Sequence, residues 1–224
     1  NLCLYHNKDV EFLDMHSSLA QRNYTRTLFF ILCKAVHDLY PGSEVVIDIP
    51  VSNGYYINLK VGHEVSEEDA VRVRGRMQQI IDAKIPIVRY QVPTEDAIEM
   101  FEQKGDEAKV KLLRSIGSLY TVYHQIDDYV DYYYGSLLPN TGDIYLFGLE
   151  KYYEGLLLRI PSKENPAKLG ELIRQDKMFE VFLEQHRRQH ILGVSTVGDF
   201  NEAVQQGHAT DMINISDCLL YTSL

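Results

Sequence analysis

The chain has 224 residues, of which 45% are hydrophobic and 24% are charged, a composition typical of a folded globular domain. The formal net charge of −10 argues against general nucleic-acid binding, which needs clustered Lys and Arg, although a local basic patch stays open. No apolar run approaches the roughly 18–20 residues that span a bilayer, and no basic-then-apolar leader precedes the first element. We expect a cytoplasmic protein without membrane contact and, because residue 1 is Asn, a fragment.

The first half of the chain alternates helix and strand patterns. Residues 1–16 read as two short strands left over from an upstream sheet, and residues 17–40 as a helix that Pro41-Gly42 ends. Its apolar positions recur with the helical period at Leu28, Ile31, Leu32, Ala35, Val36 and Leu39. Residues 44–49 and 55–61 alternate like a hairpin, and Asn53-Gly54 predicts the positive φ of its turn.

Three further elements follow before the pattern changes. Ser66 is a good N-cap for a helix whose buried stripe is Val73, Met77, Ile80 and Ile81. Residues 85–92 form a strand that Pro86 confines to a sheet edge. We expect Thr94 to cap a helix through residue 101, and Asp106 to begin another through residue 116.

From residue 118 apolar and polar residues alternate with a period of two, which predicts strands at 119–125, 129–134, 144–149 and 155–160. Many of the 16 tyrosines lie here, and we interpret them as packing residues of a pleated surface. After a linker at 161–166 we expect a long helix over 167–192, a helix from Val197 to Gln206 and a last one from Gly207. The order predicts an α+β fold with an antiparallel sheet, packed helices and a helical C-terminal segment.

Few residues carry a signal for chemistry. No Gly-Lys pair occurs, so the chain holds no Walker A loop. His186 and His190 have metal-ligand spacing, but no third ligand stands near them, so a solvated helix face is the better interpretation. Asp127, Asp128 and Asp131 could form an acid–base pair, but a turn between two strands explains them better. Three scattered cysteines fit a reducing compartment.

Residues 24–160 resemble the second N-terminal domain of threonyl-tRNA synthetases. The likeness is carried by residues 31–41 (ILCKAVHDLYP), 53–56 (NGYY), 65–69 (VSEED), 129–131 (YVD) and 138–140 (LPN). In that family the domain removes wrong amino acids from tRNA, with a His-x-x-x-His pair on the first helix and a Cys-x-x-x-His pair after a strand. In the related alanyl-tRNA synthetases the equivalent set holds zinc.

The resemblance places the first pair on Arg26 and Phe30 and the second on Tyr133 and Leu137. None of these is His or Cys; Phe and Leu cannot ligate a metal, and Arg stays protonated. The resemblance therefore implies the fold without supporting editing or a metal. It leaves a remnant cleft whose candidate residues are Arg26, Phe30, Lys34, Asp131, Tyr133 and Leu137. Arg26 and Lys34 could present positive charge in it to an anionic ligand.

A second resemblance spans nearly the whole chain. Residues 131–139 (DYYYGSLLP), 155–161 (GLLLRIP) and 197–201 (VGDFN) look like the N-terminal region of bacterial nucleoside kinases of the uridine kinase/phosphoribulokinase type. That likeness implies a remnant of a ubiquitin-like (TGS-like) domain at 1–16, the synthetase-like domain at 17–161, and a helical segment at 162–224 leading to an absent P-loop kinase domain. The last seven residues, from Cys218, depart from the charged helix expected there.

Two hypotheses follow. In the first, the chain is a non-catalytic accessory region of a uridine or nucleoside kinase; it holds no cofactor itself, whereas the missing domain would use ATP and Mg²⁺ and be its partner. In the second, the chain is a freestanding aminoacyl-tRNA editing or tRNA-binding module. Both leave a small-molecule ligand and oligomerisation open, and the net charge weighs against nucleic acid.

Overall fold

A computed structural model of the chain describes residues 7, 9, 11–133, 135–173, 176–191, 196–208, 210 and 213–214, without the side chains of 178 and 185–191. Half of the predicted strand remnant at 1–16, and all of the C-terminal seven residues, lie outside the described residues. Residues 11–16 are described and contain no strand, so the second short strand predicted there was wrong. Within the described part, no helix is long and apolar enough to cross a membrane.

Helices and antiparallel strands build an α+β fold, as predicted. The helices are α1 (Ser18–Leu39), α2 (Glu67–Asp82), α3 (Thr94–Gln103), α4 (Glu107–Ile116), α5 (Asp176–Ile191) and α6 (Val197–Gln205). The strands are β1 (Glu44–Val51), β2 (Gly54–Lys60), β3 (Val88–Pro93), β4 (Tyr120–Ile126), β5 (Tyr129–Tyr132), β6 (Gly148–Tyr152) and β7 (Gly155–Arg159). One sheet has the order β1-β2-β7-β6 and the other β3-β4-β5, with β3 at an edge as its Pro86 flank predicts.

The chain folds as two compact units that interleave along the sequence. The first comprises Asn1–Tyr90 and Val122–Gln175, and the second Gln91–Thr121 and Asp176–Leu224. In the second unit, Lys111 on α4 pairs with Asp199 at 2.8 Å and with Glu202, both on α6. The division into domains at 1–16, 17–161 and 162–224 stays a prediction.

The core of the first unit lies where α1 and α2 meet the four-stranded sheet. The α1 stripe Leu28, Ile31, Leu32, Ala35 and Val36 is buried, as its period predicts. Ser66 caps α2 in a capping box with Asp69, and the predicted stripe from Val73 to Ile81 is buried. All described members of the main hydrophobic cluster belong to this unit.

The β1–β2 hairpin is confirmed, but its turn is one residue earlier than predicted. Val51 pairs with Gly54, so the loop is Ser52-Asn53, and both residues have positive φ, 54° and 55°. These values fit a type I′ turn, which matches the twist of the flanking strands. Gly54 serves a different purpose: a Cβ there would lie 2.5 Å from the Leu158 carbonyl oxygen of β7. The glycine lets strands β2 and β7 approach.

Thr94 does not cap a helix. It is the first residue of α3, and its hydroxyl lies 2.9 Å from that of Thr121. Asp106, by contrast, caps α4 as predicted by accepting from the Lys109 amide. The Thr94 prediction was wrong because a buried tertiary hydrogen bond replaced the local one.

The predicted helix over 167–192 begins only at Asp176. Residues 169–173 are not helical and lie beside the hairpin: Leu169 bridges to Pro161, the Gly170 amide donates to the Ile160 carbonyl, and the Ile173 amide donates to Ser52 Oγ. These bonds satisfy backbone groups that a helix would otherwise pair internally. The strand predicted at 144–149 is likewise later, at β6. Before it, a short 3-10 helix occupies Thr141–Asp143, and the Tyr145 and Leu146 amides donate to the Tyr24 hydroxyl instead of to a neighbouring strand.

Candidate functional site

The positions that the synthetase resemblance assigns to the cleft come together between α1 and the chain that follows β5. Phe30 on α1 is fully buried, and its ring centroid lies 5.3 Å from that of Tyr133. The Tyr129 ring approaches Phe30 to 5.6 Å from β5. Contacting rings at this spacing leave no room between them for a substrate group. The space between Phe30 and Tyr133 is therefore packed.

The segment after β5 is fixed to α1 by a polar contact as well as by apolar packing. The Leu138 amide donates to Thr27 Oγ1 at 2.9 Å, and the Thr27 hydroxyl donates to the Asn23 carbonyl one turn earlier. Leu137 is half-buried and packs against the core cluster. An aliphatic side chain at this position adds packing but no metal ligand or acid–base group.

Arg26 lies against the same segment. A Cβ placed on Gly135 would lie 2.9 Å from the Arg26 Cζ and closer still to Nη1. Gly135 has a φ of +113°, a conformation open to glycine but not to L side chains. The missing side chain is what allows the guanidinium to reach the backbone at this point.

Lys34 is buried and already paired. Its Nζ lies 2.9 Å from Asp128 Oδ1 and 3.2 Å from Asp38 Oδ1, and its side chain is 3% exposed. Burial lowers the pKa of Lys34, but its bonds to Asp128 and then Asp38 outweigh this, so the pKa ends above its ordinary value. Asp38 in turn accepts two bonds from Arg76 of α2. Lys34 thus belongs to a network that joins α1, α2 and the β4–β5 turn.

Asp127 and Asp128 form that turn, as the structural interpretation predicts. Ile126 pairs with Tyr129, which leaves the two aspartates as a two-residue loop, and Asp127 has a φ of 51°. Asp131 sits apart from them on β5, 6% exposed, and accepts hydrogen bonds from the Tyr129 hydroxyl and the Tyr132 amide. Asp127 and Asp128 therefore lie in the turn, whereas Asp131 bonds within its own strand.

His124 is a buried polar residue at this site that the sequence reasoning missed. It lies on β4 directly opposite Asp131, is 2% exposed, and its ring contacts Phe30 at 6.5 Å. Its Nδ1 has no hydrogen-bond partner in the described part of the chain. Burial, followed by the charge of Arg89, lowers the pKa of His124 to about 4, so the ring is neutral at pH 7. The alternation of apolar and polar residues along β4 is the sequence pattern that could have predicted the burial of His124.

Cys33 was also not singled out for this site. The Tyr133 hydroxyl bonds to Cys33, and burial, followed by the nearby Cys33 and Asp131, raises the pKa of Tyr133 well above its ordinary value. Tyr133 is therefore a neutral phenol over the physiological range. Within the ranges that the structure describes, no group of three or more His, Cys, Asp or Glu could hold a metal ion. The His186 and His190 side chains lie outside those ranges.

Comparison with known proteins finds threonine–tRNA ligases. That of Acidithiobacillus ferrooxidans is 30% identical over 164 residues, 69% of this chain and 24% of the ligase. That of Syntrophotalea carbinolica is 30% identical over 190 residues, 80% of this chain and 30% of the ligase. The chain thus spans less than a third of the length of these relatives. No protein-family model matches it.

These relatives, with the observed helices and antiparallel sheets, confirm an α+β fold of the editing-domain type. The predicted relationship to uridine or nucleoside kinases was wrong, because these relatives are threonine–tRNA ligases and give no support for a uridine kinase. The motifs behind that prediction occupy packing and capping positions, such as the buried β7 and the Thr196–Asp199 capping box of α6. Such positions report a fold and carry no phosphoryl-transfer chemistry.

Proposed function

We infer that this chain is a module of the threonyl-tRNA synthetase editing type that binds the 3′ end of tRNA without hydrolysing an aminoacyl ester. The observation that carries the proposal is the packing of Phe30 against Tyr133 at the positions of the expected His and Cys. The similarity to threonine–tRNA ligases supplies the class of nucleic acid. In the proposed module, aromatic rings fill the space between the positions of the expected ligands.

The loss of hydrolysis follows from the groups that remain. Ester hydrolysis needs a base within hydrogen-bond reach of the attacking water. His124 is enclosed beneath Phe30, and Asp131 is engaged by Tyr129 and the Tyr132 amide. Tyr133 is a phenol whose raised pKa makes it a poor base. None of these side chains offers an accessible base at neutral pH.

Binding that is confined to the end of the tRNA is compatible with the charge of the chain. A net charge of −10 opposes a surface that follows many phosphates, because such surfaces gain affinity by releasing counterions. A single-stranded end needs fewer phosphate contacts, since its unpaired bases can stack on side chains. We therefore expect weak binding with a shallow dependence on salt.

The experiment combines two assays on the 224-residue chain. A tRNA charged with a wrong amino acid is incubated with the protein, and uncharged tRNA is titrated into it by fluorescence anisotropy. The proposal predicts saturable binding and no ester loss above the spontaneous rate. Hydrolysis that follows the protein through purification would replace binding with editing as the function, and an absence of binding would remove the tRNA assignment.

A further inference from the structure

We propose that Arg26 and the backbone of Gly135 and Ser136 form a phosphate-binding site for a ribonucleotide. The guanidinium is brought to this segment by the missing Gly135 side chain. The inference rests on the proposed function where the phosphate is taken to be the last phosphodiester of a tRNA. The site itself stands on the geometry around Arg26 and can be tested with a free nucleotide.

Arg26 has no counter-ion among the described residues. Its side chain is half-buried, yet it makes no ion pair or hydrogen bond within the described part of the chain. Seven other cations of the described chain have carboxylate partners: Lys34, Lys60, Arg76, Lys109, Lys111, Arg114 and Arg159. Three cations that have no such partner among the described residues, Arg22, Arg72 and Arg89, are exposed, whereas Arg26 is half-buried. A half-buried guanidinium without an anion, in a chain of net charge −10, is a ready partner for an external oxyanion.

The backbone beside the guanidinium supplies further donors. The amides of Gly135 and Ser136 make no hydrogen bond to any described residue, whereas the Leu138 amide farther along is satisfied by Thr27 Oγ1. Both residues are exposed, so a ligand can reach them. Amide groups next to a guanidinium are a common arrangement for binding phosphate oxygens.

Asn23 lies on the same side of α1, three residues before Arg26, a spacing that makes two side chains neighbours on a helix. Its Oδ1 has no hydrogen-bond partner within the described residues, but it is enclosed by protein, so a ligand does not reach it in this conformation. The anion is therefore held by Arg26 and the two backbone amides. The proposal names a ribonucleotide because the proposed function supplies the phosphodiester of a tRNA end as the anion.

The test is calorimetric titration of the chain with AMP, inorganic phosphate and adenosine. Arg26→Ala should weaken AMP binding by about tenfold or more, the loss expected for one charge-assisted contact. Arg22→Ala, an exposed arginine one turn earlier, is the matched control and should change it less than twofold. Gly135→Ala, whose Cβ would displace the guanidinium, should act like Arg26→Ala, and Arg26→Lys should retain part of the affinity.

Two results would overturn the site: AMP that binds no better than adenosine, or equal losses for Arg26→Ala and Arg22→Ala when both variants melt like the wild type. The tRNA titration separates this outcome from the proposed function. If tRNA binds and Arg26→Ala leaves that binding unchanged, the phosphate site is wrong and the function stands. If AMP binding depends on Arg26 while tRNA does not bind, the site stands and the function is wrong.

Discussion

At the scale of single residues, His124 makes the stability of the fold depend on pH. Its pKa is about 4 in the folded chain and about 6.5 in an unfolded one. Above pH 6.5 both states are neutral and the histidine has no pH effect. As pH falls from 6.5 to 4 the unfolded state takes up the proton first, so stability falls, by about 3 kcal/mol in all.

His124→Leu should remove this acid sensitivity. We expect unchanged or higher stability at pH 7, because a buried nitrogen without a partner is replaced by an apolar group. Urea unfolding at pH 7, 5.5 and 4.5 measures the effect, and His16→Gln, at an exposed position, is the control. A His124→Leu variant that loses as much stability on acidification as the wild type would contradict the assignment.

Lys34 is the second residue whose role is best tested by stability. Lys34→Ala should lower the free energy of unfolding by about 2 kcal/mol, because the packing of a buried stem and two ion pairs are lost. Asp128→Asn should cost less than about 1 kcal/mol, since Asp128 is 77% exposed and its pair is screened. Denaturant titration compares the free energies of unfolding of the two variants. Equal losses would contradict this expectation, because they would show that Asp128 contributes more stability than an exposed ion pair can.

At the scale of elements, the two regular helices of the first unit and the hairpin were predictable from local patterns. In α1 and α2 the apolar period coincides with burial, and the Ser66 capping box is a local signal. The non-helical run at 169–173 was not predictable, because the Ile173 amide bonds to Ser52, 121 positions earlier in the sequence. His124 was missed for the same reason. The alternating pattern of β4 predicts which side of the sheet His124 faces, but the Phe30 ring that it contacts belongs to α1.

Two glycine-to-alanine substitutions, one in the sheet and one in a helix, should change the stability of the fold in opposite directions. Gly54→Ala should destabilise the fold by about 2 kcal/mol or more, because its Cβ would lie 2.5 Å from the Leu158 carbonyl oxygen, a backbone atom that cannot rotate away. Gly75→Ala, in α2 with nothing within 4 Å, should stabilise it by about 0.5–1 kcal/mol. Thermal unfolding measures both. Equal effects of the two substitutions would contradict the close approach of β2 and β7.

At the scale of the whole molecule, the cleft keeps the backbone of an editing fold while its chemistry is absent at the matched positions. The fold followed from motifs at 31–41 and 129–140, which are largely packing residues. The same motifs also predicted that Arg26 and Tyr133 occupy ligand positions of the editing fold. They did not predict the contact of Arg26 with Gly135, which joins residues more than 100 positions apart.

Restoring the expected ligands should restore metal binding. The variant Arg26→His, Phe30→His, Tyr133→Cys and Leu137→His combines imidazole and thiolate ligands, which suit Zn²⁺. It should bind zinc in a competition titration with a chromogenic chelator, at a cost in stability because the Phe30–Tyr133 packing is lost. The wild type should bind none at these positions. A folded variant without zinc affinity would show that the four positions do not converge.

The central claim is recognition of the tRNA 3′ end, and anisotropy with two acceptor-stem minihelices tests it most directly. One ends in single-stranded CCA and the other is cut back to the last base pair. The account predicts saturable binding of the first, at least about tenfold weaker binding of the second, and a shallow salt dependence. Equal binding of the two, or no binding of either, would contradict it.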